Sequence, residues 1–123
     1  MTGREFENQV VKALKKEGFW VHRISPNEAG QQPFDIIAIK NDMICAYDAK
    51  VLSDGYKFPL NRIEDNQLNA FRLFETKVKA RHIGLIIHAE EKVRYMSLSK
   101  IQTALIMRKK SIDVRELPEW GVL

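Results

Sequence analysis

The chain predicts an α/β domain, a mixed sheet flanked by helices, on three observations. Apolar residues recur at helical spacing from Phe6 to Leu14 and again from Ile63 to Val78. Between these stretches, the apolar runs Phe34 to Lys40 and Met43 to Val51 are joined only by Asn41-Asp42, the pattern of a two-residue hairpin. A third apolar run, Ile83 to His88, follows the second helical stretch and suits a central strand. The order helix, three strands, helix, strand makes an αβββαβ core.

Thr2 is placed to cap a first helix running to about Lys16, with Gly18 as its stop. Phe19 to Ile24 reads as a strand, and Ser25 to Pro33 as the loop leading into the hairpin. After the turn Ser53-Asp54-Gly55 and the segment Phe58-Pro59-Leu60, a second helix is expected from about Arg62 to Lys79. Val93 to Leu98 pairs with Ile83 to His88 across the charged turn Ala89 to Lys92. Ser99 then caps a third helix to about Lys109, and Ser111 to Leu117 forms a short edge strand or extended segment.

The composition bounds the function. With 123 residues, 45% of them hydrophobic, residues 1–123 are expected to form one domain with a real core. The longest apolar run falls far short of the roughly 18 residues that span a bilayer. Met1 to Glu7 is polar and lacks a signal-peptide core, so a cytoplasmic protein with no membrane partner is expected. Cys45 is the one cysteine, which excludes an internal disulfide, and it has no ligand-spaced partner for zinc. His22, His82 and His88 are too scattered to suggest a metal cluster. The net charge of +4 favours an anionic partner without naming one.

The hairpin carries the chemistry. With Asn41-Asp42 at the turn, residues whose numbers sum to 83 lie opposite each other, so Asp35 faces Asp48. Directly opposed Cβ atoms are roughly 5 Å apart, and two carboxylates there destabilise the sheet unless something neutralises them. A divalent cation would do so. Lys50 projects to the same face, two residues beyond Asp48. Mg²⁺ or Mn²⁺ takes one or two carboxylates with waters and substrate phosphates, and a nearby lysine can position a water, so these parts suit phosphodiester hydrolysis. The plainer alternative makes Asp48 and Lys50 the solvent face of a half-buried hairpin.

Two polar residues fall on apolar helix faces. Glu7 lies between Val11 and Leu14 on the first helix, either directed at a metal site or keeping its head in solvent. Gln67 lies among Leu60, Ile63, Phe71, Phe74 and Val78, where its amide must find buried hydrogen bonds.

Together, Pro33-Phe34-Asp35, Asp48-Ala49-Lys50 and Glu7 resemble the motifs of the PD-(D/E)xK nuclease superfamily. Phe58-Pro59-Leu60, Asn66-Gln67, Gly84 to Ile87, Tyr95 to Ser99 and Lys110 to Gly121 look like RecU-type Holliday junction resolvases. The resemblance implies a restriction-endonuclease-like fold, a homodimer, Mg²⁺ or Mn²⁺ dependence and paired nicking of four-way DNA junctions. It implies that Glu7, Asp35 and Asp48 handle the metal, with Lys50 and Gln67 supporting catalysis; the mechanism expected from these parts adds the Ala49 carbonyl to Asp35 and Asp48 as a metal ligand. RecU proteins carry a long stalk where this chain has only the Ser25 to Pro33 loop, Asn66 replaces a usual histidine, and Asp48 replaces a usual glutamate. A compact, stalk-less, phage-encoded relative fits these departures, in a bacterium or an infected host.

Lys57, Arg62, Lys77, Lys79 and Arg81 flank the site in sequence and are candidate phosphate contacts, or else a solvated charged surface. Two alternatives stay open: a VRR-NUC-type nuclease cutting flaps or other branched DNA, and a module that binds branched DNA without cutting it.

Overall fold

In the computed structural model, residues 1–24, 33–79 and 81–121 are described. The expected loop from Ser25 to Pro33, and with it the missing stalk, lies outside them apart from Pro33. The element order is α1 (Gly3–Lys16), β1 (Trp20–Arg23), β2 (Ile36–Lys40), β3 (Met43–Val51), β4 (Lys57–Pro59), a 3₁₀ turn at Leu60–Arg62, α2 (Asp65–Lys77), β5 (Arg81–Ala89), β6 (Lys92–Ser97), α3 (Leu98–Ile106) and β7 (Ser111–Asp113). A second 3₁₀ turn, Val114–Glu116, follows.

Five strands form one sheet in the order β1-β2-β3-β5-β6. It is mixed as expected, because β3 and β5 run parallel from Ile44↔Arg81 to Val51↔His88 while the other neighbours are antiparallel. The β2–β3 hairpin has the expected register, with Ile36 opposite Tyr47 and Lys40 opposite Met43. Glu90 and Glu91 turn β5 into β6 with φ of 52° and 60°, the left-handed pair that a tight hairpin requires.

Alternation along the strands divides the core between the two faces of the sheet. On one face α1 packs Phe6, Val10, Val11 and Leu14 against Ile36, Ala38, Cys45, Tyr47 and Ile86. On the other, Phe71 of α2 and Ile101 and Ala104 of α3 cover Ala46, Leu85, Ile87 and Met96. Gly84 permits the close approach of β6. A Cβ at that position, where φ is 156°, would lie 2.1 Å from the Met96 carbonyl oxygen.

Two expected helix starts are corrected. The second helix starts at Asp65 and not Arg62, because Leu60–Arg62 forms a 3₁₀ turn and Ile63 and Glu64 are extended. Its first turn is closed by a capping box between Glu64 and Gln67. The third helix is capped by Ser97, whose hydroxyl accepts from Lys100 N at 3.1 Å, and not by Ser99. Ser111–Asp113 is the expected short strand, and it pairs with β4 in a two-stranded ribbon separate from the main sheet. The open side of β6 is instead closed by the C-terminal segment, where Tyr95 N donates to Pro118 O and Trp120 N to Val93 O.

Candidate active site

The hairpin register and α2 together build a cleft of about 340 Å³ lined by Gly3, Glu7, Asp35, Asp48, Ala49, Lys50, Glu64 and Gln67. All five residues expected to be catalytic meet there. Phe34 is buried and stacks on Phe71 of α2 with ring centroids 5.3 Å apart, which fixes the chain just before Asp35. Gln67 stands four residues before Phe71, on the same face of α2, so one packing contact brings Asp35 and Gln67 to the same cleft.

Asp35 and Asp48 are both buried, at 9% and 2% exposure. Asp35 Oδ2 accepts from the Ala49 backbone N–H at 2.9 Å, tying the two motifs together across the hairpin. Asp48 Oδ2 pairs with Lys50 Nζ at 3.0 Å. Lys50 Nζ also reaches Gln67 Oε1 at 3.5 Å, and that oxygen accepts from the Glu64 backbone N–H at 3.3 Å. The Gln67 side-chain oxygen thus finds part-buried partners in the first turn of α2.

The electrostatics follow from burial. Desolvation, reinforced by the neighbouring Asp48 charge, pushes the Asp35 carboxyl up to about 7. Burial also raises Asp48, against the opposing pull of Lys50. Asp48 Oδ1 is buried with no hydrogen-bond partner. Two buried carboxyls that desolvation inclines to keep their protons, with one ammonium beside Asp48 and one oxygen unsatisfied, are a donor set that a hard divalent cation would complete by replacing a proton. No cluster of three or more His, Cys, Asp or Glu forms a metal cage among the described residues. Two carboxylates with waters and a phosphate match the way Mg²⁺ is usually held.

Glu7 reaches the cleft wall, but its Oε1 pairs with Arg23 Nε at 3.2 Å. Its carboxylate therefore has a protein partner besides any ion. Ala49 lines the cleft, and its described bond is made by its N–H. Sequence reasoning missed Arg23 and Glu64. The Glu64-to-Gln67 spacing was the available signal for Glu64, hidden by placing the helix start three residues early.

The five candidate phosphate contacts do not gather at the cleft. Arg62 is half-buried, donates to Val51 O at 2.8 Å and lies over the Phe58 ring, bracing the end of β3. Lys57 is exposed on β4, in register with Asp113. Lys77 ends α2 and Lys79 follows it. Arg81 begins β5 opposite Ile44, whereas Asp48 lies opposite Leu85, four residues along, a separation of roughly 13 Å.

A mixed sheet flanked by helices, presenting an aspartate before one hairpin strand, Asp-Ala-Lys on the next and an acid from the first helix, defines a nuclease of the PD-(D/E)xK class. The chain belongs to the archaeal Holliday junction resolvase (Hjc) family, whose model matches residues 1–119. It is accordingly a nuclease that cuts branched DNA. Its fold is similar to that of Archaeoglobus fulgidus Hjc, a Holliday junction resolvase from an archaeal hyperthermophile, with a TM-score of 0.64 and 20% identity over 95% of each chain. No curated protein sequence matches the chain.

Proposed function

We propose that this resolvase hydrolyses phosphodiesters in four-way junctions with Mg²⁺ or Mn²⁺, making paired nicks as a homodimer. The observation that carries the site assignment is the convergence of Asp35, Asp48, Lys50 and Gln67 on one cleft, with Asp48 Oδ1 left unsatisfied.

Asp35 and Asp48 would hold the ion, with the Ala49 carbonyl and Glu7 as further oxygen donors directly or through water. Bound there, a divalent ion supplies Lewis-acid polarisation of the scissile phosphate and neutralises charge. The ammonium of Lys50, gripped by Asp48 and Gln67, orients the attacking water and offsets the charge that develops on the phosphate oxygens. Gln67 acts through Lys50, limiting the arc its flexible stem can sweep, and the capping bond to Glu64 N fixes the amide in turn. Water adds to phosphorus and gives up a proton, the bond to the leaving ester oxygen breaks, and that oxygen takes up a proton in return.

Two nicks need two sites, and each chain carries one cleft of this kind among its described residues, which supports the homodimer. Trp20, at 60% exposure, is available to an interface, whereas Trp120 is half-buried and packs edge-on against Tyr47. No described helix is long and apolar enough to cross a membrane. A substrate of recombining DNA supports the cytoplasmic reading. The RecU-type likeness rests on the matching sequence stretches given above, and the phage origin on the departures from them.

The experiment is cleavage of a panel comprising a labelled four-way junction, a flap, single-stranded DNA and linear duplex, with Mg²⁺, Mn²⁺ or EDTA. Metal-dependent preference for the junction supports the proposal. Preference for flaps moves the chain toward VRR-NUC-type cleavage, and binding without cutting contradicts the enzymatic reading.

A further inference from the structure

We propose that the turn ending α3, from Ile106 to Lys110, is a DNA-docking element that seats a duplex arm of the branched substrate beside the cleft. This deepens the nuclease reading above and rests on it. Ile106 and Met107 are 81% and 61% exposed, large apolar side chains presented to solvent side by side. Arg108, Lys109 and Lys110 follow at once, all three exposed.

The backbone gives a second, independent sign. Arg108 has a φ of 57°, the left-handed position just past a helix end that glycine ordinarily fills. A long cationic side chain is held there against its conformational preference, as happens where a side chain is wanted for contact.

The turn is also wired to the cleft. Leu60 N donates to Lys110 O at 2.9 Å, and Lys109 and Lys110 share a groove with Leu60, Asn61, Leu68 and one acid, Asp65, which the cations outnumber. The same segment runs on through Glu64 and Gln67 into the cleft wall. Basic charge therefore stands on the cleft's own side of α2, while Lys77 and Arg81 lie at the far end of the sheet.

Charge selects the occupant. A second copy related by a twofold axis through this turn would set three cations against three cations, whereas a phosphate backbone complements them. Exposed isoleucine and methionine beside such cations suit the sugar and base edges of a minor groove, or a base step already opened near a branch point.

The test is equilibrium binding of a fluorescent four-way junction by the full chain in EDTA, over a series of salt concentrations. Lys109→Ala with Lys110→Ala is expected to weaken binding about tenfold and to lower the logarithmic salt slope by about 2. Ile106→Ser with Met107→Ser should weaken binding at unchanged salt slope. Arg108→Gly should weaken binding while raising the melting temperature, a combination that damage to the fold would not produce. Wild-type affinity and slope in the double lysine variant overturn the proposal. So does loss of self-association in the Ile106/Met107 variant with DNA affinity per dimer preserved, which would make the turn an interface between copies. If the unaltered chain binds no branched DNA, the nuclease reading itself fails and this proposal fails with it.

Discussion

Lys50 Nζ stands 3.0 Å from Asp48 Oδ2, two residues back on the same face of β3, and both side chains are largely shielded from water. The pair holds the Lys50 ammonium in place, yet leaves the second carboxylate oxygen of Asp48 without a hydrogen-bond partner. Charge and position at the site therefore depend on each other, and the following outcomes are expected.

Lys50→Ala should reduce junction cleavage by about 10²- to 10³-fold while leaving junction binding within a few fold, since the loss falls on the transition state. Single-turnover cleavage and binding in EDTA check this together. Binding lost in parallel with cleavage would assign Lys50 to substrate affinity instead.

Asp48→Asn removes a buried charge that has one cationic partner. It should abolish metal-dependent cleavage yet leave the metal-free fold as stable as the parent or about 1 to 2 kcal/mol more stable, because an amide costs less to bury than a carboxylate. Thermal melts in EDTA read the sign. A large loss of stability would show that the Lys50 pair holds the fold together.

The pH dependence of the metal-free fold follows from Asp35. Its pKa rises from the ordinary 3.8 to about 7, so between those values the folded chain retains a proton that the unfolded chain has released. More protons bound in the folded state means that stability falls as pH rises across this window, by on the order of 1 to 3 kcal/mol in all. Melts in EDTA from pH 4.5 to 8 should show the decline, and Asp35→Asn should flatten it. Saturating Mg²⁺ should reverse the trend, because the ion binds the deprotonated carboxylates. A melting temperature independent of pH in EDTA would contradict the assignment.

Gly84→Ala should destabilise the chain by about 3 kcal/mol or more, since the added methyl would meet the Met96 backbone at 2.1 Å and force β5 and β6 apart. Circular dichroism would register the loss. Near-parental melting would mean that β5 and β6 can separate without cost.

The hairpin was legible in the sequence because a two-residue turn leaves one register, and that register alone puts Asp35, Asp48 and Lys50 together. Both core faces were likewise readable from alternation and helical spacing. The start of α2 was not, because Ile63 fits a helical stripe whether the backbone there is helical or extended, and only the Glu64–Gln67 capping box distinguishes the two. The β4–β7 ribbon joins segments more than fifty residues apart in sequence, beyond the reach of local pattern. The pairing of Glu7 with Arg23 depends on how α1 lies against β1, which periodicity does not fix. The basic residues near the cleft were sought by closeness in sequence, and α2 carries Lys77 and Lys79 away from it.

The most direct measurement maps the cuts on each strand of a labelled four-way junction, with the parent chain and Asp48→Asn in parallel. Two symmetrically placed nicks on opposing strands are expected, requiring Mg²⁺ or Mn²⁺, and they should disappear in Asp48→Asn with junction binding retained. Nicks that persist in EDTA or in the variant would contradict this expectation.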